Sequence, residues 1–296
     1  MHGILVIDKP SGMNSTQISR DLQRKFNFQK IGHIGTLDPL ASGVLPICVN
    51  EATKMSSYLL EDEKEYEGIC LLGVRTDTQD ITGKVMNRSN LLISNEILEQ
   101  KLKSKEGWIE QLPPMFSAVK KGGKPLYIYA RRDEIVERSP RRIRVYEFKM
   151  KKRIQDEFSF YLRCSKGTYV RALCDDLGEE LGSYACLKEL RRIRSGMFNI
   201  RDSISCSTLT AQNLTSFPHW KSLEEIFRTM PSFVLSEELS KRVRHGYSPL
   251  FSQVTQERDF LDYSWICFLD DKHRPIALAT PKKEEKVFKI SRVINC

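Results

Sequence analysis

The chain has 296 residues, 40% hydrophobic and 29% charged, with a formal net charge of +9; this is the profile of a soluble globular protein of about two domains that favours an anionic partner such as nucleic acid. No apolar run approaches the roughly 18 residues of a membrane span, and the N-terminal run is too short, and lacks the basic flank, for a signal peptide. The eight cysteines are scattered without a C-x-x-C pair, which argues against structural zinc and a disulfide framework and for free thiols in a reducing cytoplasmic setting.

In chain order, residues 4–7 read as a short buried strand stopped by Lys9-Pro10-Ser11-Gly12. Asn14 or Ser15 then caps a helix running to about Phe26, with Ile18 and Leu22 four apart on one face. Residues 44–49 predict a second buried strand and 66–72 a third. A helix at 95–103 follows, then strands rich in β-branched and aromatic residues at 143–151 and 158–164. The strongest helix spans 168–182: Val170, Leu173, Leu177 and Leu181 share a face, and Gly182 is placed to end it. After an irregular stretch at 214–231, with a short helical segment at 222–227, a small module begins. It has a helix at 236–244 and strands at 265–269, 274–279 and 287–293. Strands scattered among helices without regular β-α alternation predict an α+β fold, divided into residues 1–229 and 230–296.

Between His33 and Glu51, Asp38 is the sole formal charge. An ionised carboxylate left unpaired in apolar surroundings is costly, so such a group is normally paired or performs chemistry. Pro39 biases Asp38 toward an extended or turn backbone, and Ser42-Gly43 permits a reversal into the next strand. Two readings stand side by side: a turn aspartate capping a local amide, and a nucleophile held between apolar walls. A nucleophile needs a cation nearby. Arg171 is the best candidate, lying off the apolar face of the 168–182 helix; its alternative is a surface pair with Asp175 at i, i+4.

Tyr66 sits among Glu63, Lys64, Glu65 and Glu67, where an aromatic is either core or a stacking platform for a base. Tyr169 by itself reads as core, and the glycine-flanked His33 as a structural turn residue. None of the five histidines has metal-ligand spacing. Basic residues interleave with aromatics at 120–132 and cluster again at 138–144 and 188–194, three patches that fit phosphate contacts. There is no Walker loop, dinucleotide fingerprint or zinc-deaminase signature.

The block Gly32-His33-Ile34-Gly35-Thr36-Leu37-Asp38-Pro39-Leu40-Ala41-Ser42-Gly43-Val44-Leu45 resembles the catalytic motif of the TruB-type tRNA pseudouridine-55 synthases. The likeness extends to GILVIDKPSG at 3–12, KEYE at 64–67, GVRTDTQD at 73–80, QLPPMFSAVK at 111–120, SKGTYVR at 165–171 and LKELRR at 187–192. These blocks stand in family order across roughly the first two hundred residues. The resemblance implies a pseudouridine-synthase core, a central mixed or antiparallel sheet flanked by helices, and a small β-rich PUA-like RNA-binding module at the C-terminus. It also implies an isomerase that converts uridine 55 in the T-loop of tRNA to pseudouridine without metal or organic cofactor. A monomer is the default for an RNA enzyme of this size.

Carried over motif by motif, Asp38 resembles the family's nucleophile and Arg171 the arginine that pairs with it. Tyr66 matches the tyrosine that stacks on the target base and is a candidate for the later proton removal. His33 lies where the family's histidine helps displace the uridine, and Tyr169 and Leu190 match pocket-lining positions. Lys9 and Asp80 match supporting positions. Two other RNA-directed readings stay open: a guide-RNA-dependent synthase, which carries a longer N-terminal extension and a lysine-rich tail, and a non-catalytic tRNA-binding or folding chaperone. A small-molecule nucleotide glycosidase leaves the basic patches without a purpose.

Overall fold

The computed structural model describes residues 1–60, 63–132, 134–255 and 259–294. Strand β1 (Gly3–Lys9) leads through a turn into helix α1 (Ser15–Phe26). Asn14 is the residue that caps α1, its side chain accepting the Thr16 amide at 2.8 Å. Then come β2 (Ser42–Val49), β3 (Lys64–Leu72), α2 (Asn95–Ser104) and β4 (Gly107–Gln111). The hairpin β5 (Arg141–Ile154) and β6 (Glu157–Cys164) is followed by α3 (Val170–Glu180) and β7 (Ala185–Ser195).

These strands form one mixed sheet in the order β1-β2-β7-β3-β6-β5-β4, with short strands added at its margins. Only β2 and β7 run parallel along this path; the other neighbours are antiparallel. The α+β architecture is the expected one. What differs is β7, which occupies the middle of the sheet, where the sequence shows a basic run at 188–194. Three of its four cations meet carboxylates of other elements, Lys188 with Glu157, Arg191 with Asp8 and Arg194 with Glu65, while Arg192 turns inward onto backbone carbonyls. That run is a paired strand, not an open phosphate-binding patch.

Alternation along β6 explains how the sheet is covered. Phe158, Phe160, Leu162 and Cys164 are buried, while Glu157, Ser159, Tyr161 and Arg163 are only partly so. The buried face packs with Phe148 of β5 and with Leu173 and Leu177 of α3 in one core. The β1–β2 side of the sheet is buried on both faces, since Ile4, Val6, Val44 and Cys48 belong to a second core on the opposite side from Leu5, Ile7, Leu45 and Ile47.

From Ser232 onward the chain builds a four-stranded sheet from β8 (Ser232–Val234), β9 (Ile266–Leu269), β10 (Pro275–Lys282) and β11 (Val287–Val293), with α4 (Glu237–Arg244) before β9. Its own core gathers Phe260, Phe268 and Phe288. Cys267, Leu278 and Ile294, however, join the second core of the large sheet beside Met55, Phe198 and Met230. No helix among the described residues is long and apolar enough to cross a membrane. The seven described cysteines are free, and Cys296 lies outside the described residues.

One glycine sets how closely α3 approaches the sheet. A Cβ on Gly178 would lie 2.1 Å from the Ala185 amide nitrogen and 2.3 Å from the Tyr184 carbonyl carbon. Backbone cannot yield there as a side chain could. Gly178→Ala is expected to lower stability by roughly 1–3 kcal/mol, read as a fall in the urea midpoint at unchanged m-value.

Candidate active site

The Asp38 segment is held by its own neighbours in sequence. The Ser15 hydroxyl, at the first turn of α1, donates to the Leu37 carbonyl at 2.8 Å and accepts the Leu37 amide at 3.0 Å. The Ser11 hydroxyl donates to the Leu40 carbonyl and the Gly12 amide to the Pro39 carbonyl, both at 2.7 Å. At the far end Gly43 (φ +101) lets β2 begin against β7; a Cβ there would lie 2.2 Å from the Arg192 carbonyl oxygen. The carboxylate is thus presented on a loop bonded at several points, with its side chain 40% exposed.

Arg171 meets it from α3. Its side chain is 5% exposed, and its Nε donates to Asp38 Oδ2 at 2.8 Å. The rest of the guanidinium donates to the Thr78 carbonyl at 2.9 Å and the Phe116 carbonyl at 2.8 Å. Asp80 stands 3.8 Å away and is locked by Thr78 and Thr82. The alternative partner, Asp175, is taken by Arg75 at 2.9 Å and by the Gln79 amide group at 2.8 Å. A second cation lies near: Lys9 is fully buried, its Nζ donating to the Pro10 carbonyl at 2.8 Å. Burial lowers its pKa to about 8, opposed by the charge of Asp38.

Asp38 opens onto a cavity of about 540 Å³ whose lining includes Tyr66, Tyr169, Leu190, Lys64 and Arg192, within the roughly 300–1,000 Å³ of small-ligand pockets. Tyr66 turns to the buried face because β3 alternates, leaving its glutamate neighbours on the other side. Burial pushes the Tyr66 phenol up to about 12, against the pull of Arg192. It is therefore a neutral phenol at physiological pH. Tyr169 is fixed by reciprocal bonds between its backbone and the Gln111 side chain, at 2.8 and 3.0 Å. Leu190 faces Gly68 across the β7–β3 pairing.

Of the eight residues singled out in the sequence, Asp38, Tyr66, Tyr169 and Leu190 line the cavity. Arg171, Asp80 and Lys9 stand behind the wall. His33 is outside the lining, bonded through its ring to the Ser19 and Thr36 hydroxyls at 3.3 and 3.2 Å. The residue the sequence reading passed over is Arg192. It is 1% exposed and has no carboxylate partner among the described residues. Its guanidinium donates to the Val44 carbonyl at 2.8 Å and the Gly35 carbonyl at 2.9 Å, clasping both ends of the Asp38 loop, and lies against the Tyr66 hydroxyl. Period-two alternation from Leu190 was the available signal; the surrounding basic residues hid it.

With this geometry in place, comparison with known proteins is decisive. Residues 23–170 match the TruB family pseudouridylate synthase N-terminal domain, and residues 171–234 the tRNA pseudouridylate synthase B C-terminal domain. The chain belongs to the TruB family of pseudouridylate synthases. A relative from Stutzerimonas stutzeri, named tRNA pseudouridine synthase B, is 44% identical over 286 residues, covering 96% of this chain and 93% of that protein. A protein of the same name from Syntrophus aciditrophicus is 40% identical over 251 residues, 84% of this chain and 80% of its own length. A chain in the crystal structure of a Cbf5-Nop10-Gar1 complex superposes with a TM-score of 0.76 at 24% identity, covering 98% of this chain and 84% of that one. That last likeness is one of fold. Within the TruB frame, Asp38 and Arg171 come from two separately matched segments that meet only on folding.

Burial, followed by Arg192, lowers the pKa of His33 below its usual 6.5. The folded state therefore binds this proton more weakly than the unfolded chain. The resulting stability is complete above pH 6.5 and is lost as pH falls through the lowered value. Urea midpoints at pH 7.5 and 5.0 should fall further apart in the parent than in His33→Gln.

Proposed function

We propose that this chain is a stand-alone tRNA pseudouridine synthase that isomerises the T-loop uridine at position 55, with Asp38 as nucleophile. The observation that carries the reading is the Asp38–Arg171 pair at 2.8 Å, set on the wall of a cavity lined by Tyr66 and Leu190. Family membership and the shared name of the relatives support it. Nothing favours a guide-RNA-dependent enzyme or a chaperone without chemistry.

A base inside a folded loop is out of reach, so the nucleotide must swing into the cavity at a cost of a few kcal/mol. Stacking on Tyr66 offsets part of this, at about 1–3 kcal/mol per base. As nucleophile, Asp38 bonds to C1′ as the N1–C1′ bond breaks, and that ester bond breaks in turn, returning the carboxylate, when C5 takes C1′. The detached uracil turns within the cavity, C5 bonds to C1′, the C5 proton leaves and N1 ends protonated. The rearrangement balances within the nucleoside and draws on no oxidant or second substrate. Arg171 is held by two carbonyls and cannot drift, so it fixes the direction of the Asp38 carboxylate before substrate arrives. Tyr66 enters as a neutral phenol; Arg192 beside it favours the phenolate that proton removal from C5 would require. Residues 230–296 serve in this reading as a second, RNA-contacting module behind the catalytic part, 1–229.

Purified protein should convert one T-loop uridine of an unmodified tRNA transcript without guide RNA, seen as a carbodiimide-dependent stop in primer extension. Asp38→Ala should bind the transcript and form no product. Binding without conversion by the parent protein would instead fit a chaperone. Arg171→Ala should lower single-turnover conversion by about 10²-fold or more; near-parental rates would separate the pair from the chemistry.

A further inference from the structure

From the rim of the cavity, on the sheet face opposite Tyr66, runs an array that the isomerisation does not use. Arg141 and Arg142, at the start of β5, line the cavity. From there the solvent-facing side of the sheet continues as alternating guanidinium groups and rings. Arg142 stacks over Trp108 at 4.6 Å and Arg144 over the same ring at 5.7 Å. Arg144 and Arg163 both lie over Tyr146 at 5.0 Å. The order is set by register: Trp108 of β4 stands directly opposite Arg144 of β5, and the period-two alternation of β5 puts Arg142, Arg144 and Tyr146 on one side.

Three features distinguish this belt from an ordinary charged surface. Trp108 is 56% exposed on the edge strand, an expensive place for an indole. Arg142 and Arg144 are exposed, and neither is ion-paired with a carboxylate among the described residues, whereas Arg191 and Arg194 of β7 are paired. A guanidinium that rests its face on a ring keeps its N–H edge for an acceptor, and its geometry matches phosphate.

We propose that the Arg142–Trp108–Arg144–Tyr146 belt is a docking track for the sugar–phosphate backbone of the RNA strand whose uridine enters the cavity. The proposal rests on the reading that the cavity takes an RNA uridine. The rings hold the guanidinium groups upright and spaced along the strand; the guanidinium groups take the phosphates. The belt reaches the cavity at Arg142 and leads away from it across the outer face of the sheet, separate from Asp38 and its partners.

The test uses a full-length, fluorescein-labelled tRNA transcript and the Asp38→Asn protein as a silent parent, with anisotropy titrations from 50 to 300 mM KCl. Each lost phosphate contact should flatten the plot of log affinity against log salt by about 0.7–0.9. Arg142→Gln with Arg144→Gln should therefore flatten it by about 1.4–1.8 and weaken binding about tenfold or more at low salt. Arg142→Lys with Arg144→Lys should keep the slope, because charge remains, and weaken binding less. Trp108→Leu should weaken binding several-fold with the slope intact. A double glutamine variant with the parental slope and affinity overturns the belt alone. If the Asp38→Asn parent fails to bind the transcript, the RNA reading falls and the belt with it.

Discussion

The buried guanidinium of Arg171 is the contact around which the cleft is assembled. Its donors are distributed to Asp38, Thr78 and Phe116, which belong to three segments far apart in sequence. A guanidinium this sealed from water is costly unless its donors are met. The loop before β2, the turn before Asp80 and the stretch after β4 must therefore all close on α3 together. Asp80 contributes charge without contact, and Gln79 and Arg75 restrain Asp175 so that it does not compete. The site is a consequence of satisfying one cation.

Much of this was legible in the chain. Period-two and helical patterns located β1, α1, β2, β6 and α3 to within a few residues, because each buries a clean apolar face. Asp38 stood out through the uncharged stretch around it, and the choice of Arg171 over other cations followed from its place off the apolar side of its helix. What could not be read was backbone: the Thr78 and Phe116 carbonyls that hold Arg171 leave no trace in residue identity. Nor could long-range pairing, which makes the 188–194 run a central strand whose Lys188, Arg191 and Arg194 meet Glu157, Asp8 and Glu65. Arg192 was hidden for the same reason, its neighbours' charge masking an inward position.

The two sides of the β3–β6–β5 region divide the labour. One side is apolar, receives α3 and opens at its end into the cavity, with Tyr66 and Leu190 as surfaces a base could touch. The other is charged and aromatic, and there the arginines sort into two groups. Arg191 and Arg194 of β7 and Arg163 of β6 meet carboxylates, while those of β5 nearest the cavity do not. Net positive charge by itself did not distinguish the groups; ion pairing in the fold did. The excess of +9 is thus spread unevenly, with unneutralised charge left at the entrance.

The apolar seam of Cys267, Leu278 and Ile294 with Ile4, Met55 and Phe198 gives the terminal sheet no slack against the large one. A flexible tether would instead let the terminal sheet float with respect to the catalytic loop. A welded joint makes the two sheets one body: any surface on the terminal sheet keeps a set span from the catalytic loop, machined into the protein.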